Sequence, residues 1–178
     1  MATIHSTSAI GQLKRLKSLV TNGFNVNSIT HDNWTPLHRA VWNDQENVIR
    51  FLLDCTADCN IPNDKGRIPL HLAVIKGNLI AVILLIEHHS IISFKDKFNK
   101  TPLHYACKID NPTIVKFLCE AGADVNATDS EGILHIFIGL QCMKLQQKDQ
   151  KIVLKCYLII RQILISLTNT LFHLFMLP

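Results

Sequence analysis

Glycine and proline are scarce in this chain, seven and six respectively in 178 residues. Collagen-like and linker-dominated sequences, which need many more of both, are excluded. Six cysteines (Cys55, Cys59, Cys107, Cys119, Cys142 and Cys156) are too few and too scattered for a disulfide scaffold. Charge of one sign is lacking too: Lys+Arg 18 against Asp+Glu 14 leaves a formal +4, too slight an excess to argue for nucleic acid. No unbroken apolar run opens the chain. Lys14, Arg15 and Lys17 interrupt Met1 to Val20, which argues against a secretory signal and sets a reducing, cytoplasmic compartment as the default, with the nucleus open as well. The phosphate-cradling G-x-x-x-x-G-K-[ST], the dinucleotide G-x-G-x-x-G, the nucleophile elbow G-x-S-x-G and the zinc-binding H-E-x-x-H are all absent. The expectation is a chain that is not an enzyme and takes no cofactor and no metal.

Apolar residues are plentiful, at 48% with a mean hydropathy of +0.19. That is enough to bury a core, and the length suits one domain. The chain repeats itself. Thr35-Pro36-Leu37-His38-Arg39-Ala40 returns as Ile68-Pro69-Leu70-His71-Leu72-Ala73 and as Thr101-Pro102-Leu103-His104-Tyr105-Ala106, both steps being 33 residues. A step back lands on Ala2-Thr3-Ile4-His5, where His5 keeps the count. A second motif follows the same period: Phe24-Asn25-Val26-Asn27, Ala57-Asp58-Cys59-Asn60 and Ala123-Asp124-Val125-Asn126.

The T-P-L-H-x-A motif, the G-A-D-V-N type ending and the 33-residue period resemble the ankyrin-repeat family, over residues 2–128. The resemblance implies an all-α solenoid of stacked helix-turn-helix units with short β-hairpin or loop fingers. On this reading residues 1–29 are a degenerate first repeat and 30–128 three regular ones. A degenerate fourth with an insertion fills 129–160, and a hydrophobic tail fills 161–178.

The residues carry their own physics. Pro36, Pro69 and Pro102 suit a first helical turn, where the missing N–H goes unused and φ is pre-set. Thr35 and Thr101 suit the N-cap before them; Ile68 cannot cap, so its helix start is expected to be weaker by about 1 kcal/mol. Leu37, Ala40 and Val41 mark the buried side of a first helix. The second helices turn Val48, Ile49, Leu52, Leu53, then Ala81, Val82, Leu85, Ile86, then Ile114, Val115, Leu118, Cys119 inward. Gly23 and Gly122 suit the left-handed residue that ends a helix, whereas Thr56 and His89 fall in the same phase at a cost of about 1 kcal/mol each. Since His88 to Ser93 replaces the usual ending, the loop around His89 is expected to be the least regular.

Beyond Asp129 the pattern degrades. Gly132 to His135 looks like a shortened motif, Lys144 to Gln150 like an exposed insertion, and Lys151 to Cys156 like Pro112 to Phe117. Residues Gln162 to Pro178 carry no Asp, Glu, Lys or Arg. They invite three readings: a cap on the stack, a membrane anchor flanked by Lys144, Lys148, Lys151, Lys155 and Arg161, or the trace of a longer array.

Histidine recurs in the motif at His5, His38, His71, His104 and His135. Equivalent residues lie one repeat apart, which disfavours a shared metal or catalytic array, and the resemblance implies that these residues brace neighbouring loops. Cys59 reads as a small buried hydrophobe, Cys55 as a surface residue, and His88-His89 as a solvated turn. The resemblance also makes Asn60 and Asn126 candidates for hydroxylation, alongside a plain role in bracing their turns.

The resemblance implies binding on the concave side, which in the family is formed by finger tips and first helices. Phase places Trp34, Arg39 and Trp42 there, with His31, Asp32 and Asn43. It adds Lys65, Arg67 and Lys76 with Asp64 and Ile75 from the second repeat, and Lys97, Phe98, Lys100 and Lys108 with Tyr105 and Ile109 from the third. A protein partner with an acidic segment is the expectation, Trp34 or Trp42 supplying the desolvated contact and the cations the steering. Nucleic acid is not expected. The alternatives are a membrane-tethered adaptor held by its tail, or the recruitment arm of a larger complex such as a ubiquitin ligase.

Overall fold

The computed structural model describes residues 3–130. The expectations for residues 131–178, including the fourth repeat, its insertion and the apolar tail, lie outside the described residues. The described part contains eight helices: α1 Ile4–Ile10, α2 Leu13–Thr21, α3 Pro36–Trp42, α4 Glu46–Asp54, α5 Pro69–Lys76, α6 Leu79–Glu87, α7 Pro102–Lys108 and α8 Pro112–Glu120. Among them no helix is long and apolar enough to cross a membrane.

Each odd-numbered helix packs on the even one that follows it. The odd helices also stack on one another in chain order, as do the even ones. The result is two parallel rows with one apolar seam between them. Leu37, Ala40, Val41, Val48, Ile49 and Leu52 are buried in the first complete pair, and the equivalent residues fill the next two. No pair could bury its apolar face alone, so stacking rather than helix propensity stabilises the array. The expected inward residues are buried or packed on the core. Leu84 joins them, a position that periodicity could not pick out because α6 is apolar on every side.

Thr35 caps α3, and His38 completes a box with it: the Thr35 N–H donates to Nδ1 (3.2 Å), and the His38 N–H donates to the Thr35 hydroxyl (3.2 Å). Thr101 and His104 keep part of the arrangement: the Thr101 N–H lies 3.0 Å and its hydroxyl 2.7 Å from Nδ1, while the His104 N–H donates to the Thr101 carbonyl. Ile68 retains half of it, its N–H donating to His71 Nδ1 at 3.3 Å. Its side chain is fully buried in the core. Two extra buried carbons are worth about 1.6 kcal/mol, which offsets a missing cap of about 1 kcal/mol. Of the second helices, α6 and α8 take other caps, Asn78 accepting from the Ala81 N–H and Asn111 from the Ile114 N–H, while Gln12 and Gln45 before α2 and α4 make no side-chain cap.

Eleven described residues have positive φ, and all fall on three phases of the 33-residue period. Gly11, Asp44, Gly77 and Asp110 turn the chain between the helices of a pair. Gly23, Thr56, His89 and Gly122 end the second helix. Asn33, Gly66 and Asn99 form the finger tips. Thr56 and His89 are therefore left-handed without being glycine, at φ 59 and 64.

Two expectations need correction. The loop at His89 is regular: the His89 and Ser90 N–H groups donate to Ile86 and Leu85 carbonyls, as Thr56 and Ala57 donate to Leu53 and Leu52. Backbone bonds set this turn, so losing the usual side chains does not unravel it. His5, although in count, does not occupy the box. Helix α1 is capped by Thr3 with Ser6, one position out of register, and His5 Nε2 lies 2.9 Å from the Ser28 carbonyl within its own repeat.

Three fingers project from the helix rows. Each is a tight turn closed by two backbone bonds: Thr30 N–H to Trp34 O, Asn63 N–H to Arg67 O and Asp96 N–H to Lys100 O, with the N–H groups of Asn33, Gly66 and Asn99 donating back to the carbonyls of Thr30, Asn63 and Asp96. Their tips are joined in turn: Asp64 N–H donates to Asp32 O, Lys97 N–H to Lys65 O, and Ser130 N–H to Phe98 O. Among the described residues the fingers contain no strand.

Candidate functional site

Finger geometry depends on one column of side chains. Thr30, Asn63 and Asp96 share a phase, and each folds over its own finger. The Thr30 hydroxyl accepts from the Trp34 N–H, and Asn63 Oδ1 accepts from the N–H groups of Lys65 and Arg67. Asp96 Oδ1 accepts from those of Phe98 and Lys100. Fingers held at fixed spacing fix everything displayed on them.

Histidines tie the fingers to the helices. Nδ1 of His38 and of His71 accepts a backbone N–H, so the proton sits on Nε2, which donates to the carbonyls of Arg67 (3.0 Å) and Lys100 (3.1 Å) one finger on. Burial pushes both imidazoles down to about 4. They are neutral braces, saturated with structural bonds and unsuited to proton transfer. The carbonyl in the same phase relation to His104 belongs to Ile133, outside the described residues.

Inner helices and fingers together line a cleft of about 350 Å³ bounded by Asp32, Trp34, Arg39, Trp42, Asn63, Asp64, Lys65, Arg67 and Leu72. Trp34 and Trp42 meet edge to face, with centroids 6.0 Å apart. The Arg39 guanidinium lies 4.6 Å from the Trp34 ring, and Lys76 Nζ lies 5.4 Å from that of Trp42. Such contacts hold both indoles in place against the cations.

The cations expected on the concave side fall into two sets. Arg67 reaches Asp96 through Nε (3.3 Å) and the Tyr105 hydroxyl through Nη2 (2.7 Å), with its guanidinium 4.9 Å from the Tyr105 ring. Lys100 pairs with Asp129 at 3.6 Å, and Lys76 with Asp44 at 3.6 Å. Lys65, Lys97 and Lys108 are exposed. So is Phe98, 51% accessible at the third finger tip. Trp42, Asn43, His31, Asp64 and Ile109 are also exposed, whereas Asp32, Trp34, Arg39 and Ile75 are half-buried.

Tyr105 is buried instead of displayed, and its hydroxyl donates to Asp96 Oδ2 at 2.6 Å. Burial, together with the Asp96 charge, raises the phenol to about 12. For Asp96, burial favours the neutral acid, yet the hydrogen bonds from Tyr105, the Lys100 and Phe98 N–H groups and Arg67 outweigh it and hold the carboxyl below its usual range. Sequence reasoning missed Asp96, Asn63 and Leu72; the in-phase column Asn63, Asp96, Asp129 was the available signal for the first two.

Cys59 is buried and its thiol donates to the His88 carbonyl at 3.2 Å, burial pushing its pKa up. His88 and His89 are exposed in their turn. Among the described residues no group of three His, Cys, Asp or Glu could hold a metal ion. Asn60 joins two repeats: Oδ1 accepts from the Ile91 N–H (2.8 Å) and Nδ2 donates to His89 O (3.2 Å). Asn126 is exposed, its N–H held by Asp124.

The family model for ankyrin repeats (3 copies) matches residues 2–63 and 55–129. The chain belongs to the ankyrin-repeat family. Among its relatives, protein phosphatase 1 regulatory subunit 27 of Homo sapiens is 37% identical over 91 residues, 51% of this chain and 59% of that protein. "Probable 26S proteasome regulatory subunit p28" of Saccharomyces cerevisiae is 34% identical over 110 residues, 60% of this chain and 48% of that protein. Alpha-latrocrustotoxin-Lt1a of Latrodectus tredecimguttatus is 36% identical over 102 residues, 56% of this chain but only 7% of the toxin. The chain thus spans less than two thirds of each of these relatives. Ankyrin repeats generally mediate protein–protein interaction, and two of these relatives are named as regulatory subunits.

Proposed function

We propose that this chain is a non-catalytic protein-interaction module whose partner lies along the finger tips and inner helices, from Trp34, Arg39 and Trp42 across Lys65 and Arg67 to Lys97, Phe98 and Lys108. The observation that carries the reading is the cleft at Trp34 and Trp42: two indoles in edge-to-face contact in the company of cations, one on the first finger and one at the end of α3. Indoles held in this way bind at little entropic cost, and surrounding positive charge steers an acidic partner. Regulatory subunits among its relatives support a binding role. The cytoplasmic placement and a hydroxylation of Asn60 or Asn126 belong to the same proposal.

A photo-crosslinking amino acid placed at Trp42 or Phe98 should yield a protein adduct in cells, and one at Arg50, on the opposite helix row, should not. Adducts at Arg50 alone, or equally at all three, would reject the concave face. Peptide mass analysis after expression beside an asparaginyl hydroxylase checks the two asparagines, and an unmodified mass at both removes that part.

A further inference from the structure

Among the inner-face cations that lie over an aromatic ring, Arg39 is set apart by what it lacks. Arg67 has Asp96 and Lys76 has Asp44, but among the described residues no carboxylate pairs with Arg39. It is half-buried against Trp34, so part of its hydration is already lost without an internal anion to replace it. Lys65, which lines the same cleft, also has no ion-pair partner among the described residues. Of the two acids at the mouth, Asp32 is engaged by the His31 imidazole, and Asp64 stands exposed beside Lys65. Leu72 and the exposed Trp42 ring supply apolar surface within reach of the cations.

We infer that this cleft reads one side-chain carboxylate, an Asp or Glu of an extended partner segment placed between Arg39 and Lys65, with the neighbouring apolar side chain seated on Trp42. The inference rests on the concave-face reading and sharpens it. A guanidinium stacked on an indole suits a carboxylate because it is weakly hydrated and offers paired N–H donors, so the charge-assisted bonds form with little desolvation left to overcome. Asp64 repels a second anion, so the segment that fits is a single acid flanked by apolar residues and not a polyacidic run. A cleft of about 350 Å³ holds one or two side chains, which matches that pattern.

The chain's two tryptophans, Trp34 and Trp42, both line this cleft, so indole emission from the full chain reports on this site. The probe is a synthetic twelve-residue peptide with one Glu between two Leu in a Ser/Thr background, compared with the same peptide carrying Gln and with one carrying six Glu. The expected result is a saturable emission change with the single-Glu peptide, at least tenfold weaker with Gln and weaker with six Glu. R39Q should weaken it at least tenfold, R39K by less, K65Q about threefold, and R50Q, on the opposite helix row, not at all. Equal affinity for the Glu and Gln peptides, an unaffected R39Q whose circular dichroism matches the parent, tighter binding of the six-Glu peptide, or no saturable change at all would overturn the inference. Crosslinking at Trp42 and Phe98 is read separately. If it persists while the peptides fail, the concave face stands and the carboxylate subsite falls; if it is lost as well, both fall.

Discussion

Arg67 and Tyr105 belong to different repeats, yet the guanidinium of one lies 4.9 Å from the ring of the other, and both converge on Asp96 Oδ2. The Asp96 side chain is wholly buried and also takes two backbone N–H groups of the third finger through Oδ1. Removing it would leave a half-buried cation, a buried phenol and two amides without their acceptor. Asp96→Ala should therefore cost about 3–5 kcal/mol. Asp96→Asn should cost less, about 1–2 kcal/mol, because Asn63 closes the second finger with an amide oxygen in the same position. Urea midpoints of the two variants check this. Equal losses would mean that the carboxylate charge, and not the loop closure, dominates.

The two substituted helix ends offer a direct measurement of strain. Thr56 and His89 adopt φ 59 and 64 where Gly23 and Gly122 adopt the same left-handed turn without a Cβ. A β-branched residue there is an outlier. Thr56→Gly should raise stability by about 1 kcal/mol and His89→Gly by somewhat less, the gain being trimmed by the greater freedom of glycine in the unfolded chain. Unchanged or lowered denaturant midpoints would contradict the strain assignment.

Much of this fold is legible in the sequence because the repeat writes each structural decision several times. Proline positions, inward residues of the second helices and the N-cap positions of Thr35 and Thr101 follow from spacing alone, whereas the closing of those caps by His38 and His104 does not. Counting by 33 misplaces His5 because it ignores a one-residue shift in capping, which Thr3 and Ser6 make instead. The motif misleads at His89 because its side chains decorate a turn that backbone bonds already fix. At the candidate site, phase finds the facing residues but not their pairing. Arg67 and Lys97 look alike in sequence, and only the placement of Asp96 and Tyr105 separates a braced cation from an exposed one. Leu72 escapes notice because a leucine on a helix gives no sign that it floors a cleft.

Gly66 tests how closely the fingers are spaced. Its φ is +73, and a Cβ there would fall 2.7 Å from the backbone nitrogen of Lys97, which donates to the Lys65 carbonyl. Gly66→Ala must both strain its own backbone and push the third finger away. The expected loss is at least about 2 kcal/mol, against about 1 kcal/mol for Gly23→Ala, where nothing lies within 4 Å of the added carbon. Because Lys65 and Arg67 line the cleft, the alanine variant should also shift indole emission. Equal midpoints for the two variants would show that finger spacing is not tightly held.

Acid should weaken the array earlier than carboxylate titration would. His38 and His71 ionise at about 4 in the folded chain against the ordinary imidazole value of 6.5, because burial disfavours the charged ring and Nδ1 faces a backbone N–H. Between those values the unfolded chain binds protons that the folded chain refuses, so stability falls as pH drops from 6.5 towards 4. Each histidine contributes about 3 kcal/mol over that window at most, a large share of a small domain's total. Asp96 acts with the opposite displacement: its carboxyl is held low, so its contribution is retained through this range and lost only below the ordinary carboxylate value. The decline between pH 6.5 and 5 should therefore come from the histidines. Urea midpoints at pH 7.5, 6.5, 5.5 and 5.0 check it: a steady fall below 6.5 is expected, and a flat profile down to pH 5.0 would show that these rings accept a proton without cost.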